Sequence, residues 1–134
     1  METFSVFNGQ QFSPCLSIGN NVAIHDDCHI GCVDYIRIGN NVLMASKIYI
    51  TDHFHGGTNT NDLIKPPVFR ELFSKGQVVI EDNVWIGEGV VILPNVTIGK
   101  NCIIGANSVV TKSFSANNVI AGNPARIIKN LSES

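Results

Sequence analysis

Aliphatic residues return at every sixth position along most of the chain. From Ile80 the sequence reads IEDNVW, IGEGVV, ILPNVT, IGKNCI, IGANSV, so Ile80, Ile86, Ile92, Ile98, Ile104 and Val110 form one series. A second series lies four places after each: Val84, Val90, Val96, Cys102 and Ser108. The first half has the same pattern from Ile18, Ile24 and Ile30, slips by two residues, and resumes at Ile38 and Met44 to reach Ile50. An amphipathic helix returns apolar residues at three and four positions, and a simple strand at two. A period of six instead fits one short strand and one corner per hexad, wound into a triangular prism whose coils stack about 4.8 Å apart. The aliphatic residue points inward, and Gly or Asn tolerates the corner backbone. The pattern predicts an all-β protein, a parallel β-helix of hexapeptide repeats, with residues 1–134 as one domain.

The hexads lapse in two places. Residues 51–77, TDHFHGGTNTNDLIKPPVFRELFSKGQ, are polar and contain Gly56, Gly57, Pro66, Pro67 and two of the four histidines. So long an excursion from a regular solenoid adds chain entropy without filling the core, which points to a functional loop. The second lapse is a short C-terminal extension, Ser113 to Ser134, whose AGNPAR segment suits a turn that ends the prism and covers its edge.

Composition narrows the function classes. An apolar fraction of 44% with 15% charged residues excludes disorder, and 7% aromatics leaves a core of Ile and Val. A net charge of -2 gives no electrostatic reason for a nucleic-acid partner or an anionic membrane. The N-terminus, METFSVFNGQ, has neither the basic flank nor the apolar run of a signal peptide, and no stretch is long enough for membrane insertion. Cys15, Cys28, Cys32 and Cys102 form no CxxC pair. Free thiols without an export signal point to the cytoplasm.

The segment DNVWIGEGVVILPNVTIGKNCIIGANSVVTKSF, followed by AGNPARII, resembles the maltose, galactoside and Nod-factor acetyltransferase group of hexapeptide-repeat enzymes. ASKIYITDHFHG is most similar to members that O-acetylate surface polysaccharides, and the likeness runs from about Ile18 to Lys129. The resemblance implies left-handed coiling, acetyl-CoA as co-substrate with no metal, and a homotrimer whose active sites lie between subunits. It further implies transfer of the acetyl group to a hydroxyl of a sugar or sugar-containing acceptor, a surface-polysaccharide precursor being favoured, by direct transfer without an acyl-enzyme.

Such a transfer needs a base, because a hydroxyl is a poor nucleophile at neutral pH, and imidazole titrates in that range. The family's catalytic histidine matches His53, where the prism opens into the excursion. His55, two residues on, would face the same side of an extended segment, which makes it the rival for the base; with His53 as base it is assigned to the acceptor. Asp52, adjacent in sequence, does not easily face the same way in a strand, so a carboxylate from elsewhere or a backbone carbonyl is an equal candidate to orient the ring. His25 and Asp26 interrupt the repeat where the family contacts the acceptor. Motif matching places Gly87, Glu88, Ala106, Thr111, Lys112 and Arg126 at the CoA site, where cations would meet phosphates and small residues would let the pantetheine arm lie on the backbone. Other readings are N-acetylation of an amino sugar or small amine, and a non-catalytic hexapeptide scaffold. A site like that of γ-class carbonic anhydrases, with a metal held among His25, His29, His53 and His55, is a further alternative.

Overall fold

The computed structural model describes residues 2–3, 6–7, 9–74 and 76–132, and its regular structure is almost entirely short strands. They stack into three parallel faces, one for each hexad of a coil. The first face contains Cys15–Ile18, Tyr35–Ile38, Val78–Ile80 and Val96–Ile98. Ala23–Ile24, Leu43–Met44, Trp85–Ile86, Ile103–Ile104 and Asn118–Gly122 build the second. The third has Glu2–Thr3, His29–Cys32, Tyr49–Thr51, Val91–Ile92 and Val109–Val110. The result is the parallel β-solenoid predicted by the six-residue period. Among the described residues no helix is long and apolar enough to cross a membrane.

The registers show why the period works. Ile38 stacks on Ile18 and beneath Ile80, which lies beneath Ile98. Met44, Ile86, Ile104 and Ile120 form the second column, and Ile30, Ile50, Ile92 and Val110 the third. These residues are essentially buried, so the core is a stack of branched aliphatic side chains. Ile18 and Ile24 differ: they are 37% and 36% exposed, because theirs is the outermost strand on the first and second faces. Their hexad position points inward, but among the described strands none stacks below them on those two faces.

The corners separate the roles of Asn and Gly. Asn21, Asn41, Asn83, Asn95, Asn101 and Asn107 have φ between 56° and 64° and immediately precede an inward Val, Cys or Ser. Asn tolerates this left-handed geometry better than most residues with a Cβ. The glycine directly after the inward Ile has another purpose. At Gly87 an added Cβ would lie 2.8 Å from the amide nitrogen of Ala106 on the next coil, so close stacking excludes a side chain.

The two-residue slip after Ile30 and the excursion after Ile50 fall at one edge of the prism, between the third face and the first. Ile92 and Val96 span this edge in four residues, their stacked counterparts Ile30 and Ile36 in six, and Ile50 and Val78 in 28. The first coil therefore has a two-residue bulge, and the second sends out the whole excursion. That excursion begins as an antiparallel ribbon, His53–His55 against Leu72–Ser74, and continues through 3-10 turns at Thr60–Ile64 and Pro67–Phe69. The Gln10 amide anchors it, donating to Leu72 O at 3.2 Å and accepting from Leu72 N–H at 2.7 Å. At the other end, Ala125–Asn130 turns back antiparallel along Asn118–Gly122 and becomes the edge strand, as expected for the AGNPAR turn.

Candidate functional site

Asp52 occupies the bend between Tyr49–Thr51 and His53–His55. The strand alternation that counted against Asp52 as the orienting group does not apply, since alternation holds within a strand and Asp52 lies between two. Its Oδ1 is 3.0 Å from His53 Nδ1. The carboxylate is fully buried and accepts three successive amides: Val33 N–H at 3.0 Å, Asp34 N–H at 2.8 Å and Tyr35 N–H at 2.9 Å. Those amides belong to the two-residue bulge of the coil below, which forms a backbone nest for an anion. Burial by itself would raise the Asp52 pKa. The hydrogen bond from His53 and the amides of Val33 and Asp34 outweigh it, and the group stays below its ordinary range.

An ionised carboxylate only accepts hydrogen bonds, so His53 Nδ1 bears the proton and Nε2 is the basic nitrogen. Thr51 Oγ1 donates to His53 O at 3.0 Å, and Ser74 Oγ to Asp52 O at 3.0 Å, so the backbone on both sides of the pair is held. Cys32 lies against the same carboxylate. Burial first, and then the Asp52 charge, push its thiol up to about 12, so it remains a neutral packing group.

The His53 ring leans back over the third face. The point where a Cβ on Gly31 would sit is 3.2 Å from His53 Cε1, 3.9 Å from His53 Nε2 and 3.7 Å from His29 Nε2. His29 in turn stacks on Tyr49, with ring centroids 5.2 Å apart and planes within 4°. The sequence reading assigned His29 no role beyond the metal alternative. Its outward position one coil below Tyr49 was the available signal. His55 meets His53 edge-on at 6.3 Å and lines a cleft of about 840 Å³ in the excursion, together with Phe54, Asn59, Lys65, Arg70 and Phe73.

The remaining expected site residues divide between two edges. At the edge between the second and third faces the backbone stacks His25, Ala45, Gly87 and Gly105 in one column: His25 N–H donates towards Met44 O, and Gly87 N–H to Ile104 O at 2.8 Å. Asp26, Ser46, Glu88 and Ala106 follow them on the same edge, and Arg126 pairs with Ala121 above Gly105. Thr111 and Lys112 instead follow Val109–Val110, on the edge of His53 but two coils higher, with Lys112 Nζ 5.5 Å from the centre of the Phe114 ring. Gly87, Glu88, Ala106 and Arg126 thus come together, with His25 and Asp26 beneath them. The third face of the prism separates them from His53. Among the described residues no three His, Cys, Asp or Glu side chains converge as metal ligands.

Comparison with known proteins agrees with this architecture. Residues 77–112 match the family Bacterial transferase hexapeptide (six repeats). The Escherichia coli K12 protein WbbJ, named for an O-acetyl transferase of lipopolysaccharide biosynthesis, is 46% identical over 114 residues, covering 82% of this chain and 58% of that protein. Galactoside O-acetyltransferase of Escherichia coli K12 is 35% identical over 131 residues, 87% of this chain and 64% of the relative. Among solved structures, a hexapeptide-repeat-containing acetyltransferase from Vibrio cholerae superposes with a TM-score of 0.79 at 31% identity, over 87% of this chain and 62% of its own. A structure of that acetyltransferase complexed with acetyl coenzyme A superposes equally well. The chain spans about three-fifths of the length of these relatives. With the stacked columns, the repeat match and these identities together, the chain belongs to the hexapeptide-repeat transferase family.

Proposed function

We propose that the protein is an acetyl-CoA-dependent acetyltransferase that acts on a hydroxyl of a sugar-containing acceptor, with His53 as general base. The observation that supports this most is the Asp52–His53 pair: a buried carboxylate accepts from Nδ1 and so leaves Nε2 as the ring nitrogen able to take a proton, at the start of the excursion. Acetyl-CoA supplies an acetyl group activated as a thioester. His53 Nε2 takes the proton of the acceptor hydroxyl as its oxygen bonds to the carbonyl carbon, and the imidazolium returns that proton to the departing thiolate. Asp52 stabilises the imidazolium in between. General-base help of this kind contributes about 10²–10⁴-fold, and holding both substrates supplies more.

The strip at Gly87, Gly105 and Ala106 fits the extended arm of CoA, since it offers backbone with little side-chain cover, and Arg126 at its upper end suits a phosphate. His53 lies across the third face from this strip, so a single chain does not bring base and thioester together. A homotrimer with each site between two subunits joins them. The excursion supports such an assembly: Leu63, Ile64 and Phe69 are 74%, 79% and 61% exposed, more apolar surface in one place than a solitary arm normally presents.

The test is acetyl-CoA turnover, followed by thiol release, against methyl glycosides, amino sugars and nucleotide sugars. Release that depends on a hydroxylated sugar supports the reading. Release with amino sugars alone would make the protein an N-acetyltransferase, and no release with any of them would remove the enzymatic reading.

A further inference from the structure

We infer that the excursion cleft contains an anion subsite built on Arg70, so that the acceptor carries a carboxylate or phosphate besides the hydroxyl that is acetylated. The inference rests on the acetyltransferase reading and adds to it the chemical class of the acceptor. Arg70 lines the cleft of about 840 Å³ together with Lys65, His55 and Phe54. Its stem lies against Gly56, where an added Cβ would be 2.9 Å from Arg70 Cδ and 3.1 Å from Arg70 Cβ. Gly56 also has a φ of 85°, a conformation that suits glycine. Across the loop, Arg70 Nε donates to Lys65 O at 2.9 Å. Backbone beneath the stem and a carbonyl at Nε hold the side chain, and the terminal nitrogens remain as donors.

Arg70 is half-buried, yet among the described residues no carboxylate forms an ion pair with it. A charge drawn partly out of water is normally paired. Asp62 and Glu71 line the same cleft, but Asp62 Oδ2 accepts the Asn59 N–H at 3.0 Å and Glu71 is exposed. These two acids offset Lys65 and Arg70, so no general positive field gathers anions in the cleft. Selection falls to the guanidinium, whose planar donors match two oxygens of a carboxylate or phosphate. The cleft also adjoins the base. His55 lines it and meets the His53 ring edge-on at 6.3 Å. From His53 to Gly56 the chain advances at most about 11 Å, on the scale of one sugar unit with its charged substituent.

The experiment compares methyl β-glucoside, methyl β-glucuronide and glucose 1-phosphate, by acetyl-CoA turnover and by calorimetric titration. The glucuronide and phosphate arms separate an acidic sugar from a glycosyl phosphate. The better anion should have a KM about tenfold or more below that of the neutral glycoside, as expected for hydrogen bonds between charged groups. Arg70→Gln should remove this advantage, with the neutral glycoside, kcat, the acetyl-CoA KM and the melting temperature nearly unchanged. Arg70→Lys should recover only part of it, because an ammonium is a point charge without the planar donors. Equal KM values for neutral and charged acceptors, or an anion preference that survives Arg70→Gln, would overturn the inference and leave the acetyltransferase reading intact. A raised acetyl-CoA KM in Arg70→Gln would assign the guanidinium to the cofactor and overturn it as well. Without transfer to any acceptor the acetyltransferase reading falls, and the titration decides the subsite alone. Anion-selective binding lost in Arg70→Gln would then support it, and equal binding by the two proteins would overturn it.

Discussion

The carboxylate of Asp52 accepts the amide of Tyr35, 17 residues earlier, at 2.9 Å. This contact joins the two irregularities of the repeat. The slip after Ile30 adds the two residues that aim three amides at one point, and the excursion after Ile50 begins with the carboxylate that fills it. The base is thereby attached to the rigid prism and not to the loop it opens.

Asp52→Asn should therefore lower kcat by about 10²-fold or more while leaving the acetyl-CoA KM nearly unchanged, because an amide does not fix the tautomer or stabilise an imidazolium. Steady-state kinetics under saturating acceptor measure this. A variant with wild-type kcat would show that the pair is structural only.

The same carboxylate gives the fold a pH dependence with a definite sign. Its pKa is lowered in the folded protein, so the unfolded chain binds more protons near pH 4. The stability it contributes is present above its unfolded value and is lost as pH falls through the folded one. Cys32 has the opposite sense. Raised to about 12, it contributes fully below the unfolded thiol value of about 9, and that contribution is lost as pH rises towards 12. Thermal melts across pH should show a shallower acid limb in Asp52→Asn and a shallower alkaline limb in Cys32→Ala. Limbs unchanged by these substitutions would assign the pH dependence to other groups.

Much of this was legible in the sequence, for a physical reason. A column of stacked aliphatics needs one such residue per hexad and a corner needs Asn, so Ile80 to Val110 could be read directly into three faces. Asp52 was not legible, because its partners are backbone amides, which have no sequence signature, and because neighbours in an extended segment normally point apart. The two-residue slip was visible, but not what it held. The exposure of Ile18 and Ile24 was also hidden, since a periodic pattern marks the inward direction and not where the stack ends.

The division of the site between two edges predicts complementation. His53→Ala and Arg126→Glu proteins, each weak at low acetyl-CoA, should regain activity when unfolded together and refolded, because mixed trimers contain some sites with both native residues. Sedimentation should show an assembly of about three times 14.5 kDa. Failure to complement, or a 14.5 kDa species at micromolar concentration, would place base and cofactor strip in one subunit.

The apolar residues of the excursion should matter for that assembly. Leu63→Ser combined with Phe69→Ser removes two side chains that are 74% and 61% exposed, so an isolated chain should tolerate the change. If they pack against a neighbouring subunit, the trimer should dissociate at higher concentration than the wild type, as read by sedimentation. Unaltered association would locate the interface elsewhere.

The measurement that bears most directly on the account is kcat for His53→Ala and His55→Ala, with melting temperature and acetyl-CoA KM determined alongside. Asp52 holds His53 at 3.0 Å, whereas His55 lines the excursion cleft, so the two substitutions should separate clearly. His53→Ala should lower kcat roughly 10²–10⁴-fold with folding and acetyl-CoA KM nearly intact, while His55→Ala should cost only about tenfold through the acceptor. An active His53→Ala protein, or an inactive His55→Ala beside it, would contradict the assignment of His53 as the base.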